Sequence, residues 1–138
     1  MNIIIKNRSL LYRGYKIKCS IGKKGITYSK KEGDLCTPKG LFKLGPLYYR
    51  KDRIKLNKCK IKKKIIKKNM GWCDDIKSKK YNREIYFPFK YSAEKLYLSK
   101  KIYDIFINIK YNYAPVLKGK GSAIFLHLTN KKYNATKG

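Results

Sequence analysis

The only histidine of the 138-residue chain, His127, ends the apolar run Ile124-Phe125-Leu126 and is followed by a polar turn. Beyond that turn lie Thr136, Lys137 and Gly138. An imidazole at a strand end, followed by a loop that closes on Thr-x-Gly, is half of an acyl-transfer site. The imidazole supplies a group that exchanges protons near neutrality, and the glycine lets the chain bend sharply. The other half is a nucleophile expected directly after Gly138. The chain is therefore expected to be C-terminally incomplete and inactive as given. A lone histidine on a strand also has a plain structural role as a satisfied core or strand-end residue, and geometry decides between the two.

Other residue types with chemical potential carry less. Cys19, Cys36, Cys59 and Cys73 show no C-x-x-C spacing, and with a single histidine they do not make a zinc set. No disulfide is expected, and Cys19 falls in the inward phase of a strand pattern, as a buried free thiol does. The adjacent Asp74 and Asp75 have no converging histidine or glutamate in sequence and read as a capped turn rather than a metal site. No metal or cofactor is expected.

Composition sets the class. Net charge is +28, from 36 basic and 8 acidic residues. Such an excess suggests an anionic partner. The bases are mostly lysine, alongside abundant Ile, Asn and Tyr, and this is also what AT-rich coding imposes on any protein. The apolar fraction of 43% suffices for one packed domain spanning 1–138. No apolar run approaches the ~20 residues of a membrane span, and the N-terminus lacks a secretory signal pattern.

The elements that must position His127 follow from periodicity. Asn2–Lys6 and Leu10–Tyr12 read as a strand pair about Asn7-Arg8-Ser9. Tyr15, Ile17, Cys19 and Ile21 alternate with Lys16, Lys18 and Ser20, predicting a half-buried strand. Residues 28–40 form a loop, and 41–44 resume a strand. The run 50–68, with eleven basic residues, reads as an extended edge whose lysines discourage further pairing. Ser92 is expected to cap a short helix over 93–101, with Leu96 and Tyr97 facing the core. Ile102–Ile109 predicts a central strand. Ser122–Leu128 predicts the last strand, with Ala123, Phe125 and His127 on one face. The sum is a mainly β domain, a β-sandwich or open barrel of about eight strands with one short helix.

Four separated blocks, Cys19–Gly25, Lys31–Phe42, Gly71–Asp75 with Tyr81–Arg83, and Gly119–His127, occur in an order that resembles the L,D-transpeptidase (YkuD-type) catalytic domain over nearly the whole chain. The closest likeness is to its short, signal-less branch. The resemblance implies a β-sandwich with a cysteine nucleophile, with His127 as general base and Gly138 in the turn and oxyanion region before that cysteine. None of the four cysteines present matches the nucleophile position. Lys137 stands where many members carry a second histidine. Asn112, Ser122 and Thr136 are expected to contact substrate. The implied substrates are bacterial peptidoglycan stem peptides, cross-linked or remodelled by a monomeric enzyme in the periplasm or cell envelope. No nucleic-acid partner is expected on this reading. Two alternatives stay open: a basic nucleic-acid-binding protein, which needs lysines gathered on one face with interleaved tyrosines, and a wall-binding pseudoenzyme.

Overall fold

A chain rich in Ile, Tyr and Phe, punctuated by glycines, builds short strands whose branched and aromatic side chains pack across a pleated surface. The computed structural model describes residues 2–138. Its strands are β1 (Ile4–Lys6), β2 (Ser9–Tyr12), β3 (Tyr15–Lys18), β4 (Ile26–Thr27), β5 (Thr37–Pro38), β6 (Leu44–Tyr49), β7 (Lys63–Ile65), β8 (Met70–Cys73), β9 (Glu84–Tyr86), β10 (Ala93–Lys95), β11 (Ile105–Ile109) and β12 (Phe125–His127). One 3₁₀ turn, Lys101–Tyr103, precedes β11. The central sheet runs β12-β11-β6-β7, and a three-stranded sheet runs β10-β8-β9. β1-β2-β3 form an antiparallel meander, and β4 pairs with β5 in parallel.

The core fills the space between the central sheet and the β10-β8-β9 sheet. Tyr48 and Phe106 come from the first, Met70 and Trp72 from the second, with Ile66, Leu96 and Tyr103 closing the cluster. Tyr48 and Phe106 stack in parallel at 4.8 Å. Phe125 packs against Phe106 at 4.6 Å and meets Trp72 edge-on at 5.2 Å. Aromatic contacts of this kind add about 1 kcal/mol each beyond area burial. Polar ties close the flanks. The Tyr48 hydroxyl and the Lys64 ammonium both donate to Glu84 Oε2, at 2.7 and 2.9 Å, joining β6, β7 and β9. Buried Arg50 forks onto Asp52, donates to the Leu98 carbonyl at 2.8 Å and lies over the Tyr97 ring.

The mainly β architecture and the central place of the 102–109 run agree with expectation, although that strand begins only at Ile105. The helix over 93–101 is not formed. Ala93, Glu94 and Lys95 pair instead with Cys73, Trp72 and Gly71 of β8, and this pairing carries Leu96 into the core with no exposed surface. Ser92 does not cap a helix; its amide donates to Asp75 Oδ2. Residues 41–43 are irregular, and the strand starts at Leu44. Of the basic run, only Lys63–Ile65 is a strand, at the sheet edge beside β6. The half-buried strand expected from Tyr15 is exposed along its length, with Tyr15 68% and Ile17 52% exposed. Cys19 is half-buried rather than sealed, and all four cysteines are free. No described helix is long and apolar enough to cross a membrane.

Leu96 is enclosed where the two sheets meet. Leu96→Ala is expected to lower unfolding free energy by about 2–5 kcal/mol, through lost transfer energy plus an unfilled cavity. Urea titration followed by tryptophan fluorescence measures it through Trp72.

Candidate functional site

Three consecutive side chains hold the segment that leads into β12. Tyr81 is buried, donates its hydroxyl to Glu32 and accepts from the Gly121 amide at 3.0 Å. Asn82 accepts from Trp72 Nε1 at 2.8 Å and the Ala123 amide at 3.1 Å, and donates to the carbonyls of Tyr111 and Asn112 at 3.2 and 2.7 Å. Arg83 donates to the Tyr113 carbonyl at 2.7 Å and lies over the Tyr113 ring. Ala123 takes a left-handed φ of 53° just before β12, so the expected strand over 122–128 contracts to Phe125–His127.

In β12, Phe125 and His127 share the face occupied by Phe106, whose register partner is His127. The imidazole packs edge-on against Tyr103 at 5.3 Å, and its Nδ1 lies 2.7 Å from the Leu128 carbonyl. A carbonyl only accepts, so this hydrogen bond places a proton on Nδ1 and leaves Nε2 outside the contact.

The C-terminal segment is tied to the 21–23 segment. The Thr136 amide donates to the Ile21 carbonyl, and the Thr136 carbonyl accepts from the Lys23 amide, both at 3.0 Å. Gly138 follows with φ 129°, where a Cβ would fall 2.4 Å from the Cys36 carbonyl oxygen and 3.1 Å from Lys30 Nζ. A glycine is therefore required on both steric and conformational grounds. Lys30, only 6% exposed, is paired with Asp34 at 2.5 Å. Burial pushes the Asp34 carboxyl up, but hydrogen bonds from Lys30 and from the amides of Lys31 and Cys36 outweigh it and hold Asp34 below the usual range.

These pieces line one cleft of about 770 Å³, whose walls include His127, Ser122, Thr136 and Gly138 together with Lys30, Glu32, Asp74, Glu94, Tyr103 and Lys137. Glu94 accepts from the Tyr103 hydroxyl at 2.7 Å. Burial raises the Glu94 pKa; the Tyr103 hydrogen bond and the Lys137 and His127 charges pull it back, and the Asp74 charge adds to the rise. Burial and the Glu94 charge push the Tyr103 hydroxyl up, so it stays a donor. Asp74 Oδ1 is shut from solvent with no hydrogen-bond partner, and Ser122 Oγ, also shut from solvent, interacts with the Tyr81 hydroxyl. Among the described residues, no three His, Cys, Asp or Glu side chains form a metal-binding group.

Four of the five residues singled out in the sequence, His127, Gly138, Ser122 and Thr136, meet at this cleft. Asn112 does not. Its amide donates to the carbonyls of Leu117 and Gly121 and accepts from the Leu117 amide, so its side chain is engaged in building the 112–121 loop. Asp75 is the expected turn cap, accepting from the amides of Lys77 and Ser92. Asp74 belongs to the cleft instead. Sequence reasoning missed Lys30, Asp74, Glu94 and Tyr103 as cleft residues. The available signal was the scarcity of acids: with eight carboxylates among 36 bases, each acidic side chain has many possible partners, and one left without any is informative.

A family model, the L,D-transpeptidase catalytic domain (YkuD), matches residues 2–138. No curated protein and no solved structure matches the chain.

Two outcomes follow from these contacts. Asn82→Ala strands buried donors and acceptors on both sides of the 111–123 segment, at about 1–3 kcal/mol for each group left unsatisfied. It is expected to destabilise the fold by at least ~2 kcal/mol and to broaden the His127 ring signals in NMR spectra. Glu94 has a raised folded-state pKa, so its contribution to stability is complete below its unfolded pKa and declines as pH rises through the folded value. Glu94→Gln is expected to flatten that decline, giving a smaller loss of melting temperature between pH 4 and pH 7 than the parent shows.

Proposed function

This chain belongs to the L,D-transpeptidase catalytic-domain family, and on that premise we propose that it is the body of a cysteine acyl transferase acting on peptidoglycan stem peptides. The observation that carries the reading is the convergence of His127 and the Thr136-Lys137-Gly138 segment on one cleft. The proposed nucleophile is a cysteine directly following Gly138, delivered to the cleft by the ties between Thr136 and residues 21–23.

In this mechanism His127 Nε2 takes the thiol proton, because Nδ1 is already committed to the Leu128 carbonyl. The thiolate attacks the carbonyl carbon of the third stem residue, a diamino acid. The tetrahedral oxyanion is met by backbone N–H groups at the turn after Gly138, each such donor lowering the barrier by about 3 kcal/mol. Collapse breaks the bond to the terminal D-alanine, whose nitrogen leaves with the proton held by His127. An amine of a second stem, or water, then attacks the thioester, gives its proton to His127 and releases the sulfur. The net exchange replaces one amide by another, or hydrolyses it, with no oxidant or reductant.

Ser122 and Thr136 support substrate placement, since both line the cleft. The excess of lysines favours approach to an anionic wall polymer, an effect that salt weakens. The proposed workplace is the cell envelope.

Residues 1–138 followed by a cysteine are expected to form an acyl-enzyme with a stem tetrapeptide, seen as the matching mass increase on the intact protein. The chain ending at Gly138 forms none. His127→Ala in the extended protein slows acylation by about 10²–10⁴-fold, the usual range for a general base. An extended protein that stays unmodified is not an acyl transferase, and retained binding of wall fragments by it would make a pseudoenzyme the better description.

A further inference from the structure

The two sheets also frame a second pocket, of about 380 Å³, which shares no lining residue with the His127 cleft. Strand register explains where it lies. Tyr48 pairs with Phe106, so Pro46 and Asn108, each two residues along its strand, continue the same inner face. Across the sandwich, Trp72 of the core pairs with Glu84. At this end the inner faces therefore finish in polar side chains, Asn108 from β11 and Glu84 from β9, and both line the pocket.

Glu84 is the one acid in this lining, and its acceptor capacity is spent. It accepts from Tyr48 at 2.7 Å, Lys64 at 2.9 Å and Tyr86 at 3.0 Å. Burial pushes its carboxyl up, but the hydrogen bonds from Tyr48 and Lys64 outweigh this and hold it below the usual range. Three further bases line the pocket: Lys79, Lys80 and Arg83. Among the described residues none of them forms an ion pair, whereas Arg50 and Arg53 each hold an aspartate. Arg83 is half-buried and gives two of its five N–H donors to the carbonyls of Asn82 and Tyr113, at 3.3 and 2.7 Å. Independently, Asn108 is only 3% exposed, and its side-chain amide makes no hydrogen bond with any described residue. Unpaired lysines alone are what 36 bases against 8 acids must produce. A buried amide left open beside an unpaired guanidinium, in a concave site, calls for an anionic ligand that accepts hydrogen bonds.

We propose that this pocket binds the phosphoryl group of a small phosphomonoester through Arg83, Lys79, Lys80 and Asn108. The site stands apart from the acyl-transfer reading, in which none of these residues takes part. Charge favours a phosphate over a carboxylate. Lys64 and Glu84 offset one another, leaving three cations for the ligand. A phosphate ester brings about two negative charges at neutral pH, and a carboxylate one. The guanidinium presents its donors in a planar fork that matches phosphate oxygens, and the Asn108 amide nitrogen donates to another oxygen. A recess of this size admits a small ester, whereas an anionic polymer is met by lysines spread over the surface. The pocket also backs onto the side chains that fix the segment leading into β12, since Arg83 holds Tyr113 and Trp72 donates to Asn82.

Trp72 is the only tryptophan of the chain and lines the pocket, so its fluorescence reports occupancy. The 138-residue chain is titrated with inorganic phosphate, glycerol phosphate and acetate at constant ionic strength. Both phosphates are expected to give a saturable change and to bind about tenfold or more tightly than acetate, the scale of a charge-assisted hydrogen bond. Lys79→Gln combined with Lys80→Gln, at exposed positions, is expected to weaken phosphate binding by about tenfold. Lys67→Gln combined with Lys68→Gln removes the same charge from exposed positions outside the pocket and is expected to leave binding within about twofold. Asn108→Ala is expected to weaken binding as well, with the fold checked by circular dichroism; a folding defect there leaves the lysine comparison standing. Absence of a saturable change, equal affinity for acetate and phosphate, or equal weakening by the two lysine pairs overturns the site. A single-stranded oligonucleotide without terminal phosphate tests the other source of the same chemistry. Its binding is expected to fall equally in both lysine variants. Competition with inorganic phosphate, lost only in the Lys79 and Lys80 variant, would assign the pocket to a phosphodiester polymer and overturn the small ester.

Discussion

The segment that leads into β12 is fixed by Asn82. Its amide has two acceptor positions and two donors, and all four are used inside the protein, by Trp72 Nε1, the Ala123 amide and the carbonyls of Tyr111 and Asn112. The residue is buried and itself sits at a positive φ of 53°. Asparagine is among the non-glycine residues that tolerate this backbone conformation best. One side chain therefore links the indole of the core to both ends of the 111–123 segment. Tyr81 and Arg83, its chain neighbours, fasten the same segment at Gly121 and Tyr113. The direction in which β12 leaves this clamp decides where His127 points.

From the clamp outward, rigidity is passed through rings. Trp72 meets Phe125 edge-on, Phe125 packs on Phe106 and Tyr103, and Tyr103 meets the imidazole at 88°. An imidazole supported this way has little freedom left to lose, the condition under which a ring can serve in proton transfer. The same Tyr103 that supports the ring on one side donates to Glu94 on the other. The imidazole and the acidic recess are thus positioned by one side chain, and neither can shift far without the other.

Much of this was legible where the information is local. The alternation at 125 and 127 put phenylalanine and histidine on one face, and Gly138 marked a bend that only glycine accommodates. The apolar run before Ile109 announced a central strand. The failures are non-local. Ala93-Glu94-Lys95 has helix-forming composition, yet pairing with Gly71, Trp72 and Cys73 makes it a strand, and no property of the segment itself encodes that partner. The alternation of Tyr15 and Ile17 correctly gave a strand but could not say whether a second layer covers it, and none does. Asn112 is expected from the sequence to line the site; its amide is engaged by the loop it builds, through bonds with Leu117 and Gly121 that a linear reading does not reveal.

Charge is the last place where composition and site part company. A lysine excess produced by coding bias would scatter bases without regard to the fold, and acids would then find basic neighbours wherever they fell. Four carboxylates follow that pattern, as salt bridges whose partially exposed members contribute modestly to stability. Asp74 and Glu94 do not. Among the described residues they form no ion pair; burial raises the Glu94 pKa, and the Tyr103 hydrogen bond and the Lys137 and His127 charges offset only part of that rise. A fold that tolerates such a group in the cleft that holds its one histidine is giving up stability there, and a perturbed acid in a cleft is a common mark of a functional site.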